Sequence, residues 1–359
     1  MNTANRSIWL DCIRTVAISL VLIYHVAKRL EDHDLDLIAN WFLEYGTYGV
    51  DMFFPLSGFL ITRYLLQPDR PGKVSIFFLR RFFRIIPIYY AAIISYLIGD
   101  YLVTQSSDAA EKSWMLFSFL AGWFIAINGE SYVPYTISWS LSVEEFAYIL
   151  LGLGALLLRS RLIYLVLFFA IAPVLLRLYL YLDSFEYTYF YYLPLARLDS
   201  IAYGGLLAFL MSKQIKNLLF SLIMIEIALI SLAMSNDMLG RLFTYPAISV
   251  LTLIGIVLAE SHYKYHYSKC MSAVSKVGFY SYFIYLFHFF NIDILILIWS
   301  KVAPVDEYSM WPIAIGAMFV TYIQAWVSFK WFEMPLMKFG RSFEPRLNGS
   351  SLSNASVSK

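Results

Sequence analysis

The sequence predicts an all-α integral membrane protein, and two observations lead to this prediction. Hydrophobic residues make up 60% of the 359 residues, while charged residues make up only 14%. Soluble domains carry roughly 25% charged residues. Apolar runs of roughly 20 residues also recur along the chain, and an α-helix needs that length to cross a bilayer. The composition therefore excludes an ordinary soluble domain and predicts about ten transmembrane helices.

The apolar runs define the predicted spans in chain order. Their bounds are 8–30, 42–66, 77–99, 139–158, 163–182, 192–211, 217–235, 242–260, 277–299 and 310–332. A further apolar piece, 114–127, is about 14 residues long. That length is short for a span and typical of a re-entrant or interfacial segment.

The distribution of Lys and Arg sets the predicted orientation. With the N-terminus inside, basic residues collect in the inner connections and acidic residues in the outer ones. Counting 114–127 as a full span would invert every later loop, so the charge pattern favours the re-entrant interpretation. Both termini are then cytoplasmic, and residues 1–340 form the membrane domain. The Ser- and Asn-rich stretch 341–359 is predicted to be a disordered cytoplasmic tail.

The first apolar segment carries three ionisable residues, Asp11, Arg14 and His25. Helical periodicity places all three on one stripe, because the 11 residues from Arg14 to His25 bring the chain back to nearly the same direction. Each ionisable group at membrane depth costs ~2.5 to 3.5 kcal/mol on insertion scales, so each is a candidate for function. A polar stripe that only contacts neighbouring helices is equally compatible with the spacing.

A basic cluster follows the second span, in the stretch FFLRRFFRIIPIYY. Arg80, Arg81 and Arg84 lie there at a predicted cytoplasmic edge of the membrane. The planar guanidinium group suits bidentate binding of phosphate. From the residues alone, positive-inside anchoring or contact with anionic lipid headgroups is the favoured interpretation.

An acidic pair lies where an outer loop enters a span, in the stretch SWSLSVEEFAY. It comprises Glu144 and Glu145, with Trp139 five residues before Glu144. Two adjacent carboxylates beside a membrane helix could orient a histidine or bind a polyol. The alternative is an acidic helix N-terminus, which the helix dipole favours by itself.

Other polar or helix-disrupting residues interrupt the apolar segments. In the second span, Pro55 and Gly58 indicate a kinked packing helix, because proline lacks a backbone donor and glycine permits close helix approach. Those at 197 and 199 suggest an internal ion pair that ties helices together, and the lone histidine at 288 is more typical of a structural residue. The residues are Asp51, Pro55, Ser57, Gly58, Arg197, Asp199 and His288.

Seven stretches, taken in chain order, resemble the acyltransferase 3 family of integral membrane acyltransferases over roughly residues 8–340. They are LDCIRTVAISLVLIYH, GVDMFFPLSGFLIT, RRFFRIIPIYY, SWSLSVEEFAY, RLDSIAYGG, SYFIYLFH and FEMPLMKFG. The pattern is similar to the bacterial branch that O-acetylates cell-surface glycans. Many members of that branch carry a fused soluble extracytoplasmic domain after the last span, and we expect this chain to be a stand-alone member.

The resemblance implies the reaction and its partners. The expected acyl donor is acetyl-CoA, used from the cytoplasm, with no permanently bound cofactor and no metal. The expected acceptor is a saccharide hydroxyl at the outer face, for example of lipopolysaccharide O-antigen. The expected location is the bacterial inner (plasma) membrane, in contact with the lipid bilayer and with no nucleic-acid partner. A homo-oligomer is left open.

The resemblance also implies roles for individual residues. His25 is the expected catalytic residue, either as general base or as a transient carrier of the acetyl group. Asp11 or a carboxylate of the Glu144–Glu145 pair is expected to orient its ring, with Glu144 preferred because Asp11 lies near the opposite face of the membrane. The expected donor-binding residues are Arg14, Arg80, Arg81 and Arg84, and the residues expected to bind substrate or to be structural are Asp51, Trp139, Arg197 and Asp199.

Two other classes of function fit the same composition. A transporter or flippase for a lipid-linked saccharide would also use intramembrane charges and a broken helix. The sequence shows no pair of halves with matching interrupted helices, which argues against that class. A non-catalytic scaffold for glycan assembly would not require His25 and Arg14 on one stripe.

Overall fold

The structure is a computed structural model that describes residues 7–31, 37–68, 72–215, 217–234, 238–261 and 268–344. Within these ranges 86% of the residues are helical and there is no strand. The predicted all-α fold class is therefore confirmed. Residues 345–359 of the predicted tail lie outside the described residues, whereas Arg341 ends the last helix.

The helices are numbered here in chain order, with short 3₁₀ turns between several of them. A π-helical turn, Phe329–Glu333, joins the last two. The helices are α1 Ile8–Arg29, α2 Leu37–Tyr45, α3 Tyr48–Leu65, α4 Lys73–Thr104, α5 Asp108–Glu111, α6 Trp114–Phe117, α7 Ala121–Asn128, α8 Trp139–Leu158, α9 Leu162–Leu182, α10 Tyr187–Tyr192, α11 Leu198–Ser212, α12 Leu218–Ala233, α13 Met238–Ser261, α14 Lys269–Phe279, α15 Ser281–Trp299, α16 Met310–Ser328 and α17 Met334–Arg341.

Each of the ten predicted spans is overlapped by at least one of these helices over most of its length. Six helical stretches in the described part of the chain are long and apolar enough to cross a membrane, and one of them, Thr136–Leu182, holds both α8 and α9. The helices α11 and α12 are apolar but shorter. The chain is therefore a multi-pass helical membrane protein.

Two predicted spans are shorter in the structure, for reasons visible in the sequence. The span predicted at 42–66 is divided between α2 and α3 by a turn at Gly46. The span predicted at 192–211 begins only at Leu198, because Pro194 has no backbone donor and holds the preceding Leu193 in an extended conformation. Pro55 lies inside α3, which continues through it as one helix.

The apolar piece 114–127 does not form a single helix. It contains the short helices α6 and α7, and Phe119 between them has a positive φ of 58°. A left-handed conformation at a bulky residue marks a sharp break in the chain. This geometry agrees with a segment that does not cross the membrane as one helix.

The described chain divides into two compact units. The first contains the residues up to Leu56 and those from Asn217 to Val327, and the second contains Ser57 to residue 216 and the residues from Ser328 onward. The division falls inside α3, so that helix contributes its first half to one unit and its second half to the other.

In the first unit, α1 packs directly against α14 and also contacts α2, α13 and α15. Its fully buried face includes Ala17, Ile18, Val21 and Leu22, whose spacing is that of one side of a helix. The approach to α14 is closest at Gly278, where an added Cβ would lie 1.8 Å from the carbonyl oxygen of Asp11. Only glycine allows two backbones to come this close.

In the second unit, α9 packs against α11, and α8 contacts α4 and α9. The second half of α3 reaches α11 at Gly58, where an added Cβ would lie 1.9 Å from the carbonyl oxygen of Ile201. The interpretation of Gly58 as a packing residue agrees with this contact.

We expect the substitution Gly278→Ala to destabilise the first unit. Its methyl group would force α1 and α14 apart, and overpacking of this kind typically costs roughly 1 to 3 kcal/mol, sometimes more. Gly255→Ala, on α13 of the same unit, is the matched control, because its Cβ would lie 3.4 Å from Ile13 Cδ1 in ordinary contact. Thermal unfolding of the purified protein in detergent measures the difference. Equal melting temperatures for the two variants would contradict the close approach of α1 and α14.

Candidate functional site

Two of the predicted residues of the first helix form an ion pair. Arg14 Nη1 donates to Asp11 Oδ1 over 2.9 Å, and the side chains expose only 18% and 5% of their surface. The residues lie three positions apart in α1, which places them on the same face. The charge of Arg14 is therefore balanced within its own helix turn.

His25 lies further along α1 and is half-buried among aromatic rings. Its ring centroid is 4.8 Å from that of Tyr24, 4.5 Å from that of Phe289 and 5.0 Å from that of His288. The last two residues belong to α15, which packs against α1. The structure thus places a second imidazole beside the predicted catalytic histidine, where the sequence had indicated a structural residue.

The predicted carboxylate Glu144 belongs to a hydrogen-bonded group in the second unit. The hydroxyl of Tyr148 donates to Glu144 Oε2, and Ser57 Oγ lies 3.4 Å from Glu144 Oε1. Tyr148 and Ser57 are also 3.4 Å apart through their hydroxyl oxygens. We call these three residues the Glu144 cluster. Tyr148 was not singled out from the sequence, although its position four residues after Glu144 places it on the same helix face.

An arginine of the predicted donor-binding group lies against the Glu144 cluster. The guanidinium carbon of Arg81 is 4.5 Å from the centroid of the Tyr148 ring, a distance typical of a cation–π contact. The neighbouring Glu145 has a buried Oε1 without a hydrogen-bond partner among the described residues. This part of the second unit therefore combines two carboxyl groups with one positive charge, a combination that can bind polar or charged groups.

The three clustered arginines have different surroundings in the structure. Arg80 makes a bidentate ion pair with Glu344, with distances of 2.8 Å from Nε and 2.6 Å from Nη2. Arg81 lies on Tyr148, and Arg84 is exposed. The predicted common phosphate site of the three therefore stays a prediction.

A buried ion pair joins α9 to α11. Arg177 pairs with Asp199 through two contacts of 3.1 and 2.6 Å, and both side chains are fully buried. Asp199 thus takes part in an internal ion pair, as the sequence suggested, and its partner is a residue that the sequence analysis had not selected. An arginine inside the apolar run of α9 was the available signal, since intramembrane charges need partners.

The remaining predicted substrate-binding or structural residues are buried. Arg197 is fully buried beside the ring of Tyr191, at 5.4 Å, and Trp139 packs against the same ring at 4.7 Å. Asp51 is fully buried in the first turn of α3, in the first unit. Such burial is typical of residues that stabilise helix packing.

The described ranges contain no group of three or more His, Cys, Asp or Glu residues that could hold a metal ion. The roles predicted for individual residues, including the orientation of His25 by Glu144, stay predictions. His25 belongs to the first unit, and Glu144 belongs to the second.

A family profile described as an acyltransferase domain matches residues 7–330 of the chain. The match covers every helix from α1 to α16. No solved structure matches the chain at a significant level.

Several curated proteins are similar in sequence. The peptidoglycan O-acetyltransferase OatA of Listeria monocytogenes is 25% identical over 92% of this chain and 56% of its own length. A provisionally named O-acetyltransferase of Staphylococcus aureus is 27% identical over 92% of this chain and 57% of its own length. A provisionally named peptidoglycan O-acetyltransferase of Bacillus subtilis, YrhL, is 30% identical over 42% of this chain and 25% of its own length. The chain thus spans little more than half the length of the first two relatives.

We expect Asp199→Asn to destabilise the protein strongly, because it leaves the buried charge of Arg177 without its carboxylate. Breaking a buried ion pair in this way costs roughly 3 to 5 kcal/mol. Asp293→Asn is the matched control, since the Arg29–Asp293 pair is 37% and 53% exposed and exposed pairs contribute roughly 0 to 1 kcal/mol. Thermal unfolding in detergent compares the two, and a smaller loss for Asp199→Asn than for Asp293→Asn would refute the structural role of the buried pair.

Proposed function

The chain belongs to the acyltransferase 3 family, and on this basis we propose that it is a membrane O-acetyltransferase. It transfers an acetyl group from acetyl-CoA to a hydroxyl of a cell-surface polysaccharide. The observation that carries the proposal is the half-buried His25 in a helix of membrane-spanning length within this family's domain. Histidine is the side chain best suited to move protons near neutral pH.

The reaction requires a nucleophilic hydroxyl and a thioester carbonyl. In direct transfer, a ring nitrogen of His25 takes the hydroxyl proton while the oxygen forms a bond to the carbonyl carbon. The carbon–sulfur bond then breaks, and the thiolate of coenzyme A receives the proton. In the alternative route, an unprotonated nitrogen of His25 attacks the thioester carbonyl, the carbon–sulfur bond breaks and coenzyme A leaves as its thiolate. The acetyl group then passes from the nitrogen to the hydroxyl oxygen, and the hydroxyl proton ends on the thiolate. Both routes need the same histidine.

The side of the membrane from which the acceptor arrives follows from the position of His25 in α1. His25 comes 17 residues after Ile8, where the helix begins, and this corresponds to ~25 Å along the helix axis. With a cytoplasmic N-terminus, the imidazole lies in the outer half of a hydrocarbon core about 30 Å thick. We therefore propose an acceptor at the outer face and a location in the bacterial inner (plasma) membrane with both termini cytoplasmic.

The identity of the polysaccharide is the finer part of the proposal. The sequence analysis named lipopolysaccharide O-antigen as an example, whereas two of the relatives above are named for peptidoglycan. Those names support peptidoglycan as the first acceptor to be tested. Both polymers present sugar hydroxyls outside the membrane, so the proposed chemistry is the same for either.

The proposed donor contacts are Arg14, Arg80, Arg81 and Arg84. The bidentate pair of Arg80 with Glu344 supports this role, because the same guanidinium geometry suits a phosphate group. In this proposal a phosphate of acetyl-CoA replaces the Glu344 carboxylate on Arg80.

We expect His25→Ala to abolish acetyl transfer without impairing folding, and His25→Gln not to restore it, because an amide cannot take up the proton. Loss of a general base typically lowers the rate ~10² to 10⁴-fold, and loss of a covalent carrier would leave essentially no transfer. Transfer from labelled acetyl-CoA is measured in membranes, with monodispersity checked in detergent and Gly255→Ala as control. Wild-type activity in well-folded His25→Ala would remove histidine from the chemistry and leave only a packing role.

We expect Arg80→Ala to weaken acetyl-CoA binding roughly tenfold or more, the loss of one charge-assisted contact of about 1.5 to 3 kcal/mol. Arg80→Lys should rescue binding poorly, because an ammonium group cannot form a bidentate contact. Glu344→Gln is the informative control, since it also breaks the ion pair but leaves the guanidinium in place, and it should bind the donor at least as tightly as wild type. Arg81→Ala and Arg84→Ala are measured in parallel by calorimetry.

An equal loss of donor affinity in Arg80→Ala and Glu344→Gln would show that Arg80 acts only by holding Glu344. Unchanged affinity in the three alanine variants would leave lipid anchoring as the role of the cluster.

A further inference from the structure

The ring of His288 is fully buried on α15, and one of its nitrogens is engaged by the backbone. Nδ1 lies 2.6 Å from the carbonyl oxygen of Tyr285 and 3.2 Å from that of Ile284. A carbonyl oxygen can only accept a hydrogen bond, so Nδ1 must carry the hydrogen. The neutral ring then has an unprotonated Nε2 with an available lone pair.

The packing around α15 gives the lone pair of His288 Nε2 no hydrogen-bond donor among the described residues. The atom is also buried. Leaving such an atom unsatisfied is destabilising, so an apolar residue would serve packing better. The contact through Nδ1 needs only a donor near that atom and does not require an imidazole. The position therefore uses a feature of histidine that helix packing does not need.

His25 is the neighbour that can use the lone pair. The two imidazole centroids are 5.0 Å apart, with the ring planes inclined by 41°. Two imidazoles joined by an N–H···N hydrogen bond of roughly 3 Å have centroids about 5 Å apart, so the observed separation of the two rings is compatible with such a bond. Phe289 contacts both rings, at 4.5 and 5.0 Å, and limits their movement.

The charges around the pair are balanced. Arg29, one turn after His25 on α1, lies 4.7 Å from the Phe289 ring centroid and is paired with Asp293 on α15, at 2.8 and 3.3 Å. The positive charge nearest to the two histidines therefore has its own carboxylate. A neutral acceptor is also the less costly choice inside a membrane helix, where each buried charge is expensive.

We propose that His288 is a positioning residue for His25, whose ring N–H it accepts at Nε2. This inference rests on the proposed acetyl transfer and deepens it. With one N–H of His25 donated to His288, the other ring nitrogen is unprotonated and available to the acceptor hydroxyl. When that nitrogen takes the hydroxyl proton, the hydrogen bond to His288 stabilises the imidazolium, the role that a carboxylate has in serine-type triads. No bond of His288 is made or broken.

Two substitutions separate positioning from packing. His288→Asn keeps an amide donor near the place of Nδ1 and removes the acceptor at Nε2. We expect it to fold, to keep the KM for acetyl-CoA, and to lose on the order of 10- to 100-fold in kcat, as is typical when an orienting partner is removed. His288→Gln brings an amide oxygen near the place of Nε2 and should restore part of that loss. Combining His288→Asn with His25→Ala should cause no further loss than His25→Ala alone.

A second readout does not depend on turnover. Nuclear magnetic resonance of ¹⁵N-histidine-labelled protein in nanodiscs reports the protonation of each ring nitrogen, with the signals of His25 and His288 assigned from the variants. We expect a single tautomer of His25 in the wild-type protein and a mixture of tautomers in His288→Asn.

The outcomes of the two readouts are distinguishable. Wild-type kcat in a folded His288→Asn protein, or an unchanged tautomer of His25, would overturn the positioning role. Loss of activity in His288→Asn that His288→Gln does not restore, with an unaltered His25 signal, would also overturn it in favour of packing. Absence of transfer by the wild-type protein, together with the expected tautomer change, would refute the proposed function but not the contact between the histidines.

Discussion

Polar side chains inside apolar helices depend on partners within the protein, because the core of a bilayer offers no water to bind them. This constraint accounts for the most distinctive contacts of the chain. Arg177 and Asp199 neutralise each other between α9 and α11, and Asp11 and Arg14 do so within α1. The close approach of α1 and α14 at Gly278 serves the same end, since Thr15 Oγ1 there donates to the carbonyl oxygen of Val274 over 2.8 Å and accepts from the amide of Gly278 over 2.9 Å.

Two of the buried polar atoms that lack a hydrogen-bond partner lie beside residues expected to act in the reaction. His288 Nε2 and Glu145 Oε1 are buried without a hydrogen-bond partner among the described residues, and both adjoin residues that the family resemblance marks as functional. Natural proteins tolerate unsatisfied buried polar atoms mainly where function requires them. The imidazole pair in the first unit and the Glu144 cluster in the second are therefore the two places where chemistry is best sought.

Much of the fold could be predicted from the sequence, because the length of an apolar segment and its helical periodicity are local properties. They predicted the fold class and the approximate positions of the helical segments, and the short length of 114–127 indicated that it is not a full span. Helix ends were less predictable where one residue decides them, as Pro194 delays the start of α11. The partners of polar residues were least predictable. Arg177 is 22 residues from Asp199, and His288 is 263 residues from His25, so only the packing of the helices brings them together. The contact of Tyr148 with Glu144 could have been predicted from their spacing of four residues in one helix. The contact of the Tyr148 hydroxyl with Ser57, on another helix, could not.

The proposed transfer of acetyl groups by this chain to a polysaccharide outside the membrane can be tested in whole cells. Mass spectrometry compares the surface glycans of cells that contain the protein with those of cells that lack it, after feeding isotopically labelled acetate. We expect labelled acetyl esters on sugar hydroxyls only when the protein is present, and their removal by mild alkali. Identical acetylation of peptidoglycan and of the other surface polysaccharides in the two kinds of cell would contradict the proposed transfer.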